Sequence, residues 1–184
     1  MSKRSTSVDL RELALNKGQR IRRTVDVDIA PIELSGQSYQ VVMGADGVDV
    51  AVERISGGFM VTIAFQACIY GPCFRCLREA ALEVHPAQEE FIPLHAEEWG
   101  PGDVSPFATD MVVDVAGLAR EALMLGLPTK ILCEESCPGV CPSCGEAGHE
   151  GPCAGRGEET DPRWSRLKEI QLDEGDGSLK SDDE

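Results

Sequence analysis

The stretch Val48-Asp49-Val50-Ala51-Val52-Glu53-Arg54-Ile55-Ser56-Gly57-Gly58-Phe59-Met60-Val61-Thr62-Ile63-Ala64-Phe65-Gln66 decides the architecture of this chain. Val48, Val50 and Val52 alternate with Asp49, Ala51 and Glu53. After Ser56-Gly57-Gly58, Phe59, Val61, Ile63 and Phe65 alternate with Met60, Thr62, Ala64 and Gln66. A period of two sends alternate side chains to opposite faces of a strand, and the glycine pair between the runs supplies turn chemistry. Residues 47–69 therefore read as an antiparallel hairpin with one covered face. Cys68 extends the Thr62/Ala64/Gln66 series and is expected as a buried cysteine without a ligand.

Upstream, Asp9-Leu10-Arg11-Glu12 resembles a capping box, which predicts a short helix to about Asn16 ended by Gly18. Ile21, Val25, Val27 and Ile29 then alternate with Arg22, Thr24, Asp26 and Asp28 as a second strand signal. Downstream, Leu82 and Val84 alternate with Glu83 and His85. Pro86 marks a break, and the strand resumes near Phe91. The Pro-, Gly- and acid-rich residues 94–109 read as a mobile loop. Asp114 can cap a helix to Leu125 with Val115, Leu118, Ala122 and Leu125 as its apolar stripe, ended by Gly126 and Pro128. Asp161-Pro162 opens a short terminal helix. The fold class predicted is α+β: an antiparallel sheet or partial barrel with few helices and a cysteine-rich segment over 133–157. Residues 1–170 are expected as one domain and 171–184 as an acidic disordered tail.

The chain has 184 residues and a formal net charge of −15, with 42% hydrophobic residues. Residues 1–40 hold seven basic and five acidic side chains, residues 41–157 six and 17, and residues 158–184 four and ten. An acidic body repels phosphate backbones, which argues against a duplex-DNA reader and against sequence-independent nucleic-acid binding. It favours a basic protein partner. Any RNA contact falls to Lys17, Arg20, Arg22 and Arg23, or to Arg163 and Trp164. No run of about 18 apolar residues is present, so no membrane span is expected. The basic start Met1-Ser2-Lys3-Arg4 has no apolar segment behind it, which points to the cytoplasm and to reduced thiols.

Seven of the eight cysteines fall in two groups: Cys73-Phe74-Arg75-Cys76, and the run Cys133, Cys137, Cys141, Cys144 and Cys153. Paired C-x-x-C units suit a tetrahedral thiolate site, and Gly145 after Cys144 allows a left-handed turn whose amides face the sulfurs. Zinc is the expected cofactor, as one or two ions. One partition is a site of Cys73, Cys76, Cys133 and Cys137 with a second of Cys141, Cys144 and Cys153, to which His149 can add a nitrogen. The other is one ribbon-like site from Cys73/Cys76 and Cys141/Cys144. Two sites leave fewer cysteines unexplained.

Together, Cys73-Phe74-Arg75-Cys76-Leu77, the helix ending in Leu127-Pro128, the cysteine run and Asp161-Pro162-Arg163 with Leu167 resemble the YceD family of large ribosomal RNA subunit accumulation proteins. Here the resemblance is to a zinc-binding variant. It spans roughly residues 9–170. Zinc-bearing members of the family commonly finish the run with C-x-C, whereas Cys153 is followed by Ala154-Gly155. The resemblance implies a cytoplasmic factor supporting synthesis, processing or stability of large-subunit rRNA. Its partners would be that rRNA or a basic ribosomal protein or assembly factor. No nucleotide loop, G-x-S-x-G or H-E-x-x-H motif is present, so no enzyme and no small-molecule substrate are expected. The competing reading is a thiol oxidoreductase or zinc-gated redox sensor at Cys73–Cys76, with Arg75 and Arg78 lowering a thiolate pKa.

Overall fold

The computed structural model describes residues 6–100, 102–148 and 153. The chain divides into two compact units, Met1–Gly139 and Val140–Glu184. In the first unit eleven strands, β1 Ser7–Asp9, β2 Arg20–Val25, β3 Ile32–Leu34, β4 Gln37–Met43, β5 Val48–Ile55, β6 Gly58–Ala64, β7 Ala67–Pro72, β8 Glu79–Val84, β9 Ala87–Pro93, β10 Ala108–Thr109 and β11 Val112–Asp114, precede one α-helix, α1, Val115–Gly126. They form three antiparallel sheets with orders β1-β11-β10, β2-β5-β6-β9 and β3-β4-β7-β8. The fold is richer in sheet than the α+β class predicted, with no closed barrel and a single α-helix among the described residues.

The hairpin forms as its alternation dictates. Ile55 pairs with Gly58 across a Ser56-Gly57 turn in which Gly57 takes φ +89°, and Val50 faces Ile63 while Val52 faces Val61. Val48, Val50, Val52, Phe59, Val61 and Ile63 are all buried. Its extent differs from the prediction. β6 stops at Ala64, and β7, which carries Cys68, belongs to the third sheet. The same change of sheet recurs at Pro86, between β8 and β9, and the Phe65 amide donates to the Pro86 carbonyl at 3.1 Å. The chain thus crosses between sheets twice at adjoining corners. Cys68 is half-buried on the outward face of its sheet, not in the core.

In the third sheet Tyr39 is buried and donates its hydroxyl to the Pro72 carbonyl at 2.9 Å. Its ring lies over Gly71, where any Cβ would collide with it. This close approach requires glycine.

Further expectations fail. The N-terminal segment makes strand β1 and not a helix: Ser7–Asp9 pairs with β11, and the Asp9 carboxylate accepts the Arg11 amide at 2.9 Å, turning the chain two residues on. Leu10 is then buried and donates its amide to the Met111 carbonyl at 2.9 Å. Strand pairing plus an Asx-type turn outcompetes helix capping there. Residues 94–109 are not wholly loop, since they hold a 3-10 turn, Ala96–Glu98, and β10. In α1 the buried stripe is Val115, Leu118, Ala119, Ala122 and Leu123, whereas Leu125 is 71% exposed. The helix ends as expected at Gly126, because Leu127, preceding Pro128, is extended with ψ 142°. Strand β2 is shorter than the alternation suggests, although Val27 and Ile29 beyond it remain buried. The terminal helix and acidic tail predicted beyond Cys153 lie outside the described residues.

Candidate metal centre

Cys73-Phe74-Arg75-Cys76 forms the turn between β7 and β8. The Leu77 amide donates to the Cys73 carbonyl at 3.0 Å and the Cys73 amide to the Arg78 carbonyl at 2.7 Å. Leu77 takes φ +60° to close this turn. The segment after α1 is brought to it by Ile131, which is buried and whose carbonyl accepts the Phe74 amide at 2.8 Å. This places Cys133 and Cys137 against the turn.

The four sulfurs of Cys73, Cys76, Cys133 and Cys137 lie within 4.8 Å of one another. Cys73 to Cys137 is 3.7 Å and Cys76 to Cys133 is 3.6 Å. A tetrahedron with Zn–S bonds of about 2.3 Å has sulfur–sulfur edges of about 3.8 Å, so the donor set fits one ion with no open position. Cys73, Cys76 and Cys137 are buried and Cys133 is half-buried.

The surroundings favour thiolates unequally. Burial pushes Cys73 up, but the amides of Cys76, Cys133 and Arg75 outweigh it and bring the thiol down to about 6. The Arg78 guanidinium lowers Cys76. Burial, reinforced by the sulfurs of Cys137, Cys76 and Cys73, pushes Cys133 up to about 12, and burial also raises Cys137. Four thiols this close cannot all ionise without a cation among them. Arg75 braces the far side by donating from Nη1 to the Cys137 carbonyl at 2.7 Å, with Gly139 at φ +87° beside it. Arg78 reaches Glu134 at 3.7 Å and Cys133 Sγ at 3.8 Å.

In the second unit Cys141-Pro142-Ser143-Cys144 repeats the same turn. The Gly145 amide donates to the Cys141 carbonyl at 2.9 Å, and the Cys141 amide to the Glu146 carbonyl at 2.9 Å. Gly145, at φ +78°, stands where Leu77 stands in the first turn. The Glu146 amide also donates to Cys144 Sγ at 3.5 Å. That amide favours the Cys144 thiolate, but burial and the sulfurs of Cys153 and Cys141 prevail and raise its pKa. The sulfurs of Cys141, Cys144 and Cys153 lie within 4.8 Å of one another, a second group able to hold an ion.

The cysteines thus gather as four within the first unit and three within the second. His149, Arg163 and Trp164 lie outside the described residues. Lys17, Arg20, Arg22 and Arg23 lie on and just before the edge strand β2, all exposed. They are not at the sulfurs: Arg20 stands opposite Glu53 and Arg22 opposite Ala51.

Reading from sequence missed the bracing by Arg75 and the left-handed Leu77. The C-x-x-C spacing itself was the signal for the latter, since the residue after the second cysteine closes the turn. Without a glycine there, the demand for positive φ went unread.

Among the described residues no helix is long and apolar enough to cross a membrane. No solved structure matches the chain. Uncharacterized proteins of Mycobacterium tuberculosis and Mycobacterium bovis are 33% identical over 137 residues, 70% of this chain and 63% of theirs. One of Mycobacterium leprae is 28% identical over 149 residues, 71% of this chain and 64% of its own. The chain therefore spans less than two thirds of the length of these relatives. The model of the family described as "Large ribosomal RNA subunit accumulation protein YceD" matches residues 61–171, from β6 through both cysteine groups, and the chain belongs to that family.

Proposed function

We propose that this chain is a non-enzymatic, cytoplasmic factor supporting the synthesis, processing or stability of large-subunit rRNA, with structural zinc at its two cysteine groups. The observation that carries the reading is the closed set of four sulfurs at Cys73, Cys76, Cys133 and Cys137, with edges of 3.6 and 3.7 Å, in a member of a family described by large ribosomal RNA subunit accumulation. Four protein thiolates leave no coordination position for water or substrate, so the ion holds structure. A dithiol oxidoreductase at Cys73–Cys76 is less well supported, because the pair sits in a turn between antiparallel strands and faces two more sulfurs. RNA, where it is touched, meets Lys17, Arg20, Arg22 and Arg23 along the exposed edge of β2, with Arg163 and Trp164 as further candidates. The acidic body meets a basic ribosomal protein or assembly factor.

The test joins metal analysis of the purified chain to depletion in cells. The reading requires one to two zinc per chain, reduced large-subunit rRNA on depletion, and recovery of large-subunit components with the tagged protein. Normal rRNA levels together with no ribosomal component on the tagged chain would refute it.

A further inference from the structure

The two four-stranded sheets differ in what their outward faces carry. The face of β2-β5-β6-β9 bears Arg20 and Arg22 with Asp49, Glu53 and Glu89. The outward face of β3-β4-β7-β8 bears Glu33, Glu79 and Glu83 and no lysine or arginine. Within that acidic rim the registers align Val42 with Cys68 and Glu83, and Gln40 with Tyr70 and Ala81. Val42 is 53% exposed and Tyr70 40%, and a shallow hollow of about 310 Å³ lies between Val42, Cys68, Tyr70 and Glu83. β8 closes this sheet as an edge strand among the described residues. A sheet edge beside an apolar strip whose strands carry carboxylates and no lysine or arginine is suited to an extended, positively charged chain.

We propose that this face, along β7 and β8, docks an extended basic segment of a partner protein, with arginines or lysines at positions i and i+4. Side chains four apart on a strand are about 13 Å apart, so Glu79 and Glu83 match that spacing in an extended ligand. The intervening apolar residue lies level with Ala81 and its cross-strand neighbour Tyr70, whose ring is also open to a guanidinium. Charge complementarity favours a basic peptide over RNA here, because the strands of this face carry no lysine or arginine, although His85 lies 3.6 Å from Glu83 and Arg78 shares a hollow with Glu79 at the far end. The inference rests on the reading above that the partner is a basic protein of large-subunit production, and assigns it a surface.

The test uses the full chain and a synthetic peptide, Ala-Arg-Ala-Leu-Ala-Arg-Ala, with a counterpart carrying glutamate for arginine. Amide shifts should change at Cys68, Tyr70, Ala81 and Glu83 with the arginine peptide alone. The double variant E79Q/E83Q should weaken binding roughly fivefold or more, whereas E97Q/E98Q, the same charge change on the 3-10 turn, should leave it within about twofold. Equal weakening by both variants, shifts mapping to another face, or the same shifts from a single-stranded RNA or from concentrating the chain alone would each overturn the proposal. If the peptide fails while the tagged chain still recovers large-subunit components, the surface is wrong and the functional reading stands. If both fail, both fall.

Discussion

Gly145→Ala isolates what the second cysteine turn asks of its backbone. Gly145 sits at φ +78°, and a Cβ built there meets nothing within 4 Å. The whole cost is therefore the left-handed backbone itself, about 1–2 kcal/mol for an L-residue, with no steric clash to add. The substitution also stiffens the unfolded chain, which favours the folded state by about 0.4–1 kcal/mol and offsets part of that cost. The segment that holds Cys141, Cys144 and Cys153 is short, and ordering it is coupled to binding the ion, so the strain appears as lost metal affinity. The net cost is about 1 kcal/mol, and at 1.4 kcal/mol per factor of ten the expected weakening is about fivefold. A competition titration with a chromophoric zinc chelator reads this as an earlier release of one ion per chain, with the other ion unmoved. The Leu77 turn already bears φ +60° with a side chain in place, so Leu77→Ala, which changes no φ preference, should shift neither step. Unchanged release from Gly145→Ala would show that Gly145 does not close a metal turn. Movement of both steps would show that the two groups are not independent sites.

Three further outcomes are expected. Cys137→Ser should lower global thermal stability and abolish one bound zinc, whereas Cys144→Ser should lose zinc with little change in the melting of the sheets; calorimetry beside metal analysis separates them. Zinc uptake should release about two to three protons per ion at the first site near pH 7, because Cys133 is pushed up to about 12 and Cys137 is also raised, Cys76 is lowered, and Cys73 is brought down to about 6. Affinity should then fall as pH falls, by about a hundredfold or more per unit, read by titration in buffers of different ionisation enthalpy. Tyr39→Phe removes the hydroxyl that donates to the Pro72 carbonyl and should cost about 1 kcal/mol, a fall of about 2–4 °C in Tm, while Gly71→Ala, which drives a Cβ into the Tyr39 ring, should cost more.

Local pattern was readable and long-range choice was not. The alternation in β5 and β6, the helix after Asp114 and the cysteine turns are each written within about ten residues. The change of sheet after Ala64 left no trace, because burial keeps its parity through the corner, with Val61, Ile63, Phe65, Ala67 and Ile69 all buried, whereas the corner after Val84 was legible as a break at Pro86 but not as a change of sheet. A period of two reports which way a side chain points and not which sheet its strand joins. Strand β1 was misread as helix because its partner β11 lies about a hundred residues away, while the local Asp9 signal serves a turn equally well. The grouping of the cysteines was legible as a set of alternatives. Choosing among them required the path of α1, which returns the chain to the β7–β8 turn through Ile131.

The two sulfur groups cannot contribute alike to the fold, and sequence separation says why. An ion at the first group joins Cys76 to Cys133 and Cys73 to Cys137, separations of 57 and 64 residues. Treated as a cross-link, a loop of that length removes about 4 kcal/mol of unfolded-chain entropy, a substantial share of the stability of a domain this size. It also fixes the segment after α1 to the β7–β8 turn, a link that the 2.8 Å bond from Phe74 to Ile131 and the 2.7 Å bond from Arg75 to Cys137 share. An ion at the second group closes only the short stretch from Cys141 to Cys153 and orders what lies within it. Loss of the first ion should loosen the sheet framework that presents Tyr70, Glu79 and Glu83, since β7 and β8 are the strands its turn joins. Loss of the second should leave that face intact. An ion at the first group would therefore bear on the stability of the whole sheet framework, and one at the second only on its own short segment.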